Sequence, residues 1–400
     1  MFTLLYADDT IILAESAEDL QLALDALYEY CQTWHLTVNT TKTKVVIFSR
    51  GKVRKYPSFI FGGNELCVCD EYIYLGTTFN YNNTFKKAIN KQVCQAKRAL
   101  FSMKSKIFLL QLPIDIQLEL FDHLILPILL YGSEIWGFDN ISQIETFFLR
   151  FCKELLGLHK STPNCMIYGE LGRQKIEKLI SLRMVMFWYR LLSSKATKIS
   201  SILYKFQYIL FSRQENSMPW ISKIKDMFDK MGLSEIWTYQ ETNLNLVGFK
   251  NLIKTKLNDI NKQEWHSDVE ENSQCLNYRI FKQSNHYEKY FDILLYSEAK
   301  SLCKFRCLNH KMPIVTGRHK NIPRNERFCN LCNKNQIGDE FHYLFQCSFF
   351  LEERKKHIKR YYWKYPNTFK MDELFNSKNK STLSNLAKFC RIVLINLKLK

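Results

Sequence analysis

The sequence predicts an α+β protein, with short strands filling residues 1–80 and helices the remainder. Three observations carry this. Hydrophobic alternation broken by turn residues runs through the first 80 positions. From about Phe85 the apolar spacing becomes helical and stays so. The chain holds only 13 Gly and 8 Pro in 400 residues, too few for many turn-linked strands. A hydrophobic share of 46% and an aromatic share of 14% supply a large core. At ~100–200 residues per folded unit, this length predicts two to four domains.

Phe2–Ala14 reads as two short buried strands with Ala7-Asp8-Asp9 at the bend. Ser16 starts a helix, with Glu18 and Asp19 complementing its dipole in the first turn. Leu20, Leu24, Leu27, Cys31 and Trp34 recur at helical spacing and predict its buried face. Leu36–Val38 and Val45–Phe48 read as strands flanking a polar segment, and another hairpin is expected, with Phe59–Phe61 and Tyr72–Phe79 around a Gly62-Gly63-Asn64 turn. Further on, Pro113, Pro127, Pro163, Pro219 and Pro313 punctuate the helices. Changes of pattern set boundaries near 80, 160, 240 and 325.

The net charge of +18 is unevenly spread. Residues 301–400 carry 21 Lys and Arg against 7 Asp and Glu, leaving 36 against 32 for the first 300. A basic block of this kind suits a polyanion, because each phosphate contact releases condensed counterions; a solvated face without a partner is the plainer alternative. The 13 cysteines are odd in number and no secretory segment precedes them, which predicts a reducing intracellular setting, cytoplasm or nucleus. No apolar run reaches the ~18 residues of a membrane span, so no membrane partner is expected.

Two groups of residues carry chemistry. Asp8 and Asp9 lie between apolar strands, where paired carboxylates are costly unless a cation meets them; magnesium suits such a pair, and a solvated acidic turn is the alternative. Cys329, Cys332, His342 and Cys347 have the spacing CxxC-x9-H-x4-C, which can close a tetrahedral, structural zinc site. Cys303, Cys307 and His310 form a rival grouping, read here as core cysteines one helical turn apart. Lysines and arginines from Arg354 to Lys364 interleave with Tyr361, Tyr362 and Trp363, a mixture that suits single-stranded nucleic acid or, equally, rings that cover the zinc loop.

The order Tyr6-Ala7-Asp8-Asp9, a helix, Trp34–Asn39, Lys42-Thr43-Lys44, then Tyr74-Leu75-Gly76 resembles the second half of the palm of reverse transcriptases. Leu126–Trp136, Phe151–Gly157, Tyr168–Arg173 and Phe305–Arg318 extend the likeness to non-LTR, LINE-type retrotransposon enzymes, and these often carry a Cys-Cys-His-Cys motif near the carboxy terminus. The resemblance covers roughly residues 1–195 and 300–350. It implies a partial palm at 1–80, a helical thumb at 81–160, a helical connector at 161–325, a zinc knuckle at 326–350 and a basic tail at 351–400. It further implies that Asp8 and Asp9 bind Mg2+ and that Lys42 is a general acid toward departing pyrophosphate. The turn at Leu75 and Gly76 would grip the primer. Arg306, Lys311, Arg318, Lys320, Arg354, Lys355 and Lys356 are expected phosphate contacts. RNA template and DNA primer or target would be the partners.

The likeness also carries an expectation of incompleteness. A palm needs a carboxylate on the strand facing Asp8 and Asp9, and fingers to hold the nucleotide, yet only Met1–Ala7 precede the pair. The expected activity is that of a nucleotidyltransferase fragment that does not polymerise alone, from a 5′-truncated element or a reading frame opened at an internal methionine. The competing expectation is a non-catalytic nucleic-acid-binding protein built on the knuckle and the basic region.

Overall fold

A computed structural model describes residues 2–49, 57–107, 112–195, 197–214, 218–242 and 244–399. It divides into two compact units, Met1–Lys91 and Gln92–Lys400.

In the first unit the expected strand-and-helix order holds, but the strands form three small sheets. Strands β1 (Phe2–Tyr6) and β2 (Asp9–Leu13) pair antiparallel, Tyr6 opposite Asp9. Helix α1 (Ala17–Thr33) begins where Ser16 Oγ accepts from the Asp19 amide at 3.0 Å. Strand β3 (Lys44–Val45) runs parallel to β5 (Asn64–Val68), which pairs antiparallel with β4 (Phe59–Phe61). Strands β6 (Glu71–Tyr74) and β7 (Thr77–Asn80) make a separate hairpin, so Tyr72–Phe79 pairs with itself and not with Phe59–Phe61. Leu36–Val38 lies outside any strand.

One face of α1 packs on β3, β4 and β5. Leu24 and Cys31 join Val45, Phe59, Phe61 and Leu66 in the core, with Leu20 and Leu27 at its margin. Trp34 is an exception: it lies just past the helix end and is 64% exposed, because the chain turns away at His35. The amide of Gln21 bonds both backbone groups of Ile60, at 2.8 and 2.9 Å, so a side chain stands where a further strand would pair with β4.

Helix α2 (Lys86–Ile107) carries the chain into the second unit, which is helical. There follow α3 (Ile114–Leu120), α4 (Leu126–Leu129), α5 (Ser133–Trp136), α6 (Ser142–Leu156), α7 (Asn164–Leu171) and α8 (Ile176–Ser193). Within the expected helical thumb, the stretch Leu126–Trp136 is two short helices. A π-helical turn at Phe121–Ile125 precedes Pro127, which has no N–H to give, and Gly132 at φ +70° breaks the helix again. Next come α9 (Ile199–Ser212), α10 (Pro219–Lys230), α11 (Ser234–Tyr239) and α12 (Leu246–Glu271). Phe249, Ile253, Leu257, Asn261, Trp265 and Val269 of α12 are buried, one every fourth residue. This is the row of positions that stack along one helix face.

The last third holds α13 (Tyr278–Phe281), α14 (Tyr290–Ile293), α15 (Tyr296–Arg306), α16 (Pro313–His319), α17 (Leu351–His357), α18 (Arg360–Lys364), α19 (Thr368–Phe375) and α20 (Lys380–Leu399). Residues 351–400 were expected as a basic tail. They form four helices, and α20 packs along α15 with Leu383, Leu386, Ala387, Cys390 and Val393 buried. Apart from Arg354, their described cations lie on the outside of a packed element. No helix among the described residues is long and apolar enough to cross a membrane.

Candidate functional site

The acidic turn comes first. Ala7 at φ +51° and Asp8 connect β1 to β2, leaving Asp8 and Asp9 exposed at the tip of an otherwise apolar hairpin. Lys42 is exposed in a turn built by Asn39, whose Oδ1 accepts from the Lys42 amide at 3.1 Å and from Thr41 Oγ1 at 2.7 Å. No ion pair joins Lys42 to either aspartate, and no third ligand closes on them, among the described residues. Leu75 and Gly76, at φ +46° and +78°, are the two loop residues between Tyr74 and Thr77. Two positive φ values define a type I′ turn, which glycine fits and leucine tolerates poorly.

In the second unit the Cys/His set comes together. The donor atoms of Cys329, Cys332, His342 and Cys347 all lie within 4.8 Å of one another. Cys329 Sγ is 3.8 Å from Cys347 Sγ, and Cys332 Sγ is 3.4 Å from His342 Nε2. A small hairpin positions the first pair: Phe328 bridges Ile337, the Cys329 amide donates to Gln336 O at 2.8 Å, and the Leu331 amide points at Cys329 Sγ. A π-helical turn at His342–Gln346, whose first amide is capped by Asp339 Oδ1 at 3.0 Å, positions the second pair. His342 Nδ1 faces Gln336 Oε1 at 2.9 Å, which turns Nε2 toward the sulfurs. The contact with Cys347 pulls the Cys329 thiol down and pushes that of Cys347 up.

Arg354 connects this loop to α17, and its place corrects an expectation. It is buried, and it donates to the carbonyl oxygens of Leu344 at 2.7 Å, Tyr343 at 3.1 Å and Cys347 at 3.0 Å. A guanidinium so used holds the Cys/His loop and has no face left for a phosphate. Lys355 and Lys356 are exposed and pair only with Glu352 and Glu353 across one turn. Tyr362 is buried and Tyr361 exposed, and α18 packs on the π-turn.

Arg306 requires the same correction. Both it and Glu170 are fully buried, and it bonds Glu170 and Glu288 while lying over the rings of Phe281 and Tyr290. The pattern that suggested a phosphate contact, a cation in a basic stretch, did not reveal that α15 turns this one inward. Lys311 and Lys320 are exposed and Arg318 is half-buried. Cys303 and Cys307 are core cysteines, as read from their spacing, and lie near Glu170. That carboxylate is committed to Arg306 and Tyr290. His310 belongs elsewhere, bonding Glu340 at 2.9 Å.

The signal that sequence reading missed is Glu170. It sits in Tyr168–Arg173, which reads as a helix end, yet it organises a buried network with Arg306, Tyr290 and the Glu288 amide. A carboxylate between two glycines of a helix terminus gave no hint of burial.

Residues 1–79 match the reverse transcriptase (RNA-dependent DNA polymerase) family. A transposon-derived protein of Caenorhabditis elegans is 32% identical over 139 residues, 34% of this chain and 48% of that protein. The RNA-directed DNA polymerases from the mobile element jockey of Drosophila funebris and Drosophila melanogaster are each 26% identical, over 162 and 148 residues. These stretches are 38% and 35% of this chain but only 18% and 16% of the polymerases. No solved structure matches. The chain thus spans about half the length of the worm relative and under a fifth of each polymerase, and over the matched stretches it is similar to RNA-directed DNA polymerases of mobile elements.

Proposed function

We propose that this chain is part of an RNA-directed DNA polymerase of LINE type, with a palm segment at 1–80, a thumb at 81–160, a connector at 161–325, a zinc knuckle at 326–350 and a basic helical region at 351–400. One observation carries the reading: Asp8 and Asp9 stand exposed at a tight hairpin tip inside the segment that matches the reverse transcriptase family. In this role the two carboxylates hold Mg2+ at the primer end. Bound by Asp8 and Asp9, Mg2+ would supply Lewis-acid chemistry at the primer 3′-hydroxyl and the departing pyrophosphate. Lys42 gives that pyrophosphate a proton as the α-phosphorus changes partners. The Leu75–Gly76 turn brings backbone against the primer, and Lys311, Arg318, Lys320, Lys355 and Lys356 take template or target phosphates. An RNA template and a DNA primer place this work in the cytoplasm or nucleus.

Two carboxylates without a third hold magnesium weakly, so the chain by itself does not extend a primer. Primer extension on an RNA template tests this. No product is expected from the isolated chain; Mg2+-dependent extension that disappears in Asp8→Ala would overturn it.

The metal in the second unit is zinc in this reading. Around a tetrahedral ion with Zn–S of about 2.3 Å and Zn–N of about 2.0 Å, S···S edges are about 3.8 Å and S···N edges about 3.5 Å. Two observed edges, 3.8 and 3.4 Å, match these values, and all four donors lie within 4.8 Å of one another. Four protein donors leave no open position, so the site is structural.

That fit favours a second reading, a non-catalytic nucleic-acid-binding protein. Such a protein would bind RNA or DNA with a steep salt dependence, lose affinity in Cys329→Ser with Cys332→Ser, and ignore Asp8→Ala. Binding that falls with Asp8→Ala and survives loss of the cysteines would refute it.

A further inference from the structure

Between α17, α18 and α20 lies a cleft of about 720 Å3 whose lining includes Lys355, Lys356, Lys359, Arg360 and Lys364. Among the described residues, no acidic side chain lines it. A smaller recess of about 140 Å3 shares His357, Lys359 and Asn385 with it and opens beside Thr382, whose amide is capped by Asn379. We infer that this trough seats the phosphodiester backbone of a single-stranded nucleic acid, with Trp363 as a stacking surface inside it. The inference rests on the reading that the chain handles nucleic acid, and it assigns that task to the outer face of the carboxy-terminal helices.

Three features point to such a strand. Lys359 and Arg360 have no ion-pair partner among the described residues, and the partners of Lys355 and Lys356 are glutamates one turn away, Glu352 exposed and Glu353 half-buried. Pairs of that kind are weak, so a phosphate displaces them readily. Next, Trp363 has spent its only polar atom, with Nε1 donating to Ile358 O at 2.9 Å. What it offers the cleft is ring surface, which a base covers and an acidic side chain does not. Finally, the wall is held in place from behind. Buried Arg354 ties α17 to the carbonyls of the Cys/His loop, and α18 packs on the same loop. Arg354 is therefore a positioning residue, and metal in the loop organises a nucleic-acid surface it does not touch.

The test uses the full chain, its metal content verified, with a labelled single-stranded RNA and a DNA of the same sequence. Lys359→Glu, Arg360→Glu and Lys364→Glu together are compared with the same charge change at exposed Lys205, Lys230 and Lys250. Losing three phosphate contacts should weaken binding at least about tenfold and flatten the salt slope by about 2, for RNA and DNA alike. The distant triple variant should change affinity less than about threefold, and thermal melting of both should match the parent. Equal weakening by both variants, or an unchanged cleft variant, overturns the inference and leaves the functional reading intact. Failure of the parent chain to bind either strand overturns both. Polyglutamate that competes as well as RNA does also overturns it, in favour of an acidic peptide.

Discussion

Arg306 donates from Nε and Nη2 to the two oxygens of Glu170, each at 3.0 Å, with both side chains wholly excluded from solvent. The pair is matched by Lys282 with Glu288, so two cations and two carboxylates share one dry site between α7, α13 and α15. Burying one partner alone leaves an uncompensated charge. Arg306→Met is expected to lower unfolding free energy by about 3–5 kcal/mol, measured by denaturant titration. Affinity for RNA at a temperature where the variant stays folded should not change, which separates this arginine from the phosphate contacts.

The same site gives a pH dependence. Burial pushes the Glu288 carboxyl up, but Arg306 and Lys282 beside it more than offset this and hold it below 4.5. A carboxyl depressed in the folded state contributes stability that is present above its unfolded value and lost as pH falls through the folded one. Denaturant midpoints should therefore drop as pH is lowered past about 4.5. Glu288→Gln should flatten that drop while lowering stability at neutral pH.

Removal of metal should be felt well beyond the four donors. A chelator is expected to lower the melting temperature of the second unit and expose Tyr343, which packs on Phe350 and bonds Asn330. Gln336→Ala frees the His342 ring and should weaken zinc binding by about 10–100-fold, read by competition with a chromophoric chelator. Unchanged zinc affinity in this variant would remove Gln336 from the site.

Two glycines at similar backbone angles make a controlled comparison. Gly172 and Gly232 have φ of +60° and +67°. A Cβ on Gly172 would lie 2.2 Å from the Tyr287 amide nitrogen, whereas nothing comes within 4 Å of one on Gly232. Gly232→Ala should cost about 1 kcal/mol, the backbone penalty alone. Gly172→Ala should cost clearly more, because the bridge from Leu171 to Tyr287 must open.

What the sequence made legible was local. Ser16 announced the start of α1 through its capping oxygen, and the spacing of Cys329, Cys332, His342 and Cys347 announced that their donor atoms gather, because both depend on residues close in sequence. The hairpin partners of Tyr72–Phe79 were misassigned, because which strands pair is decided by packing on α1 and not by the apolar pattern. Arg306 and Arg354 could not be told from surface cations, since their acceptors lie on other elements or on backbone. The connector at 161–325 read only as helical, yet the fourth-residue row along α12 was present in the sequence.

The two compact units have an evolutionary consequence. Asp8 and Asp9 belong to a unit whose core is Leu24, Cys31, Val45, Phe59, Phe61 and Leu66, while the Cys/His loop belongs to one built around Trp188, Trp265 and Phe305. Mutations that erode the first core do not draw on the second. A lineage can therefore lose one core and keep the other, so that selection on the two halves is separable and each can drift, or be retained, at its own pace.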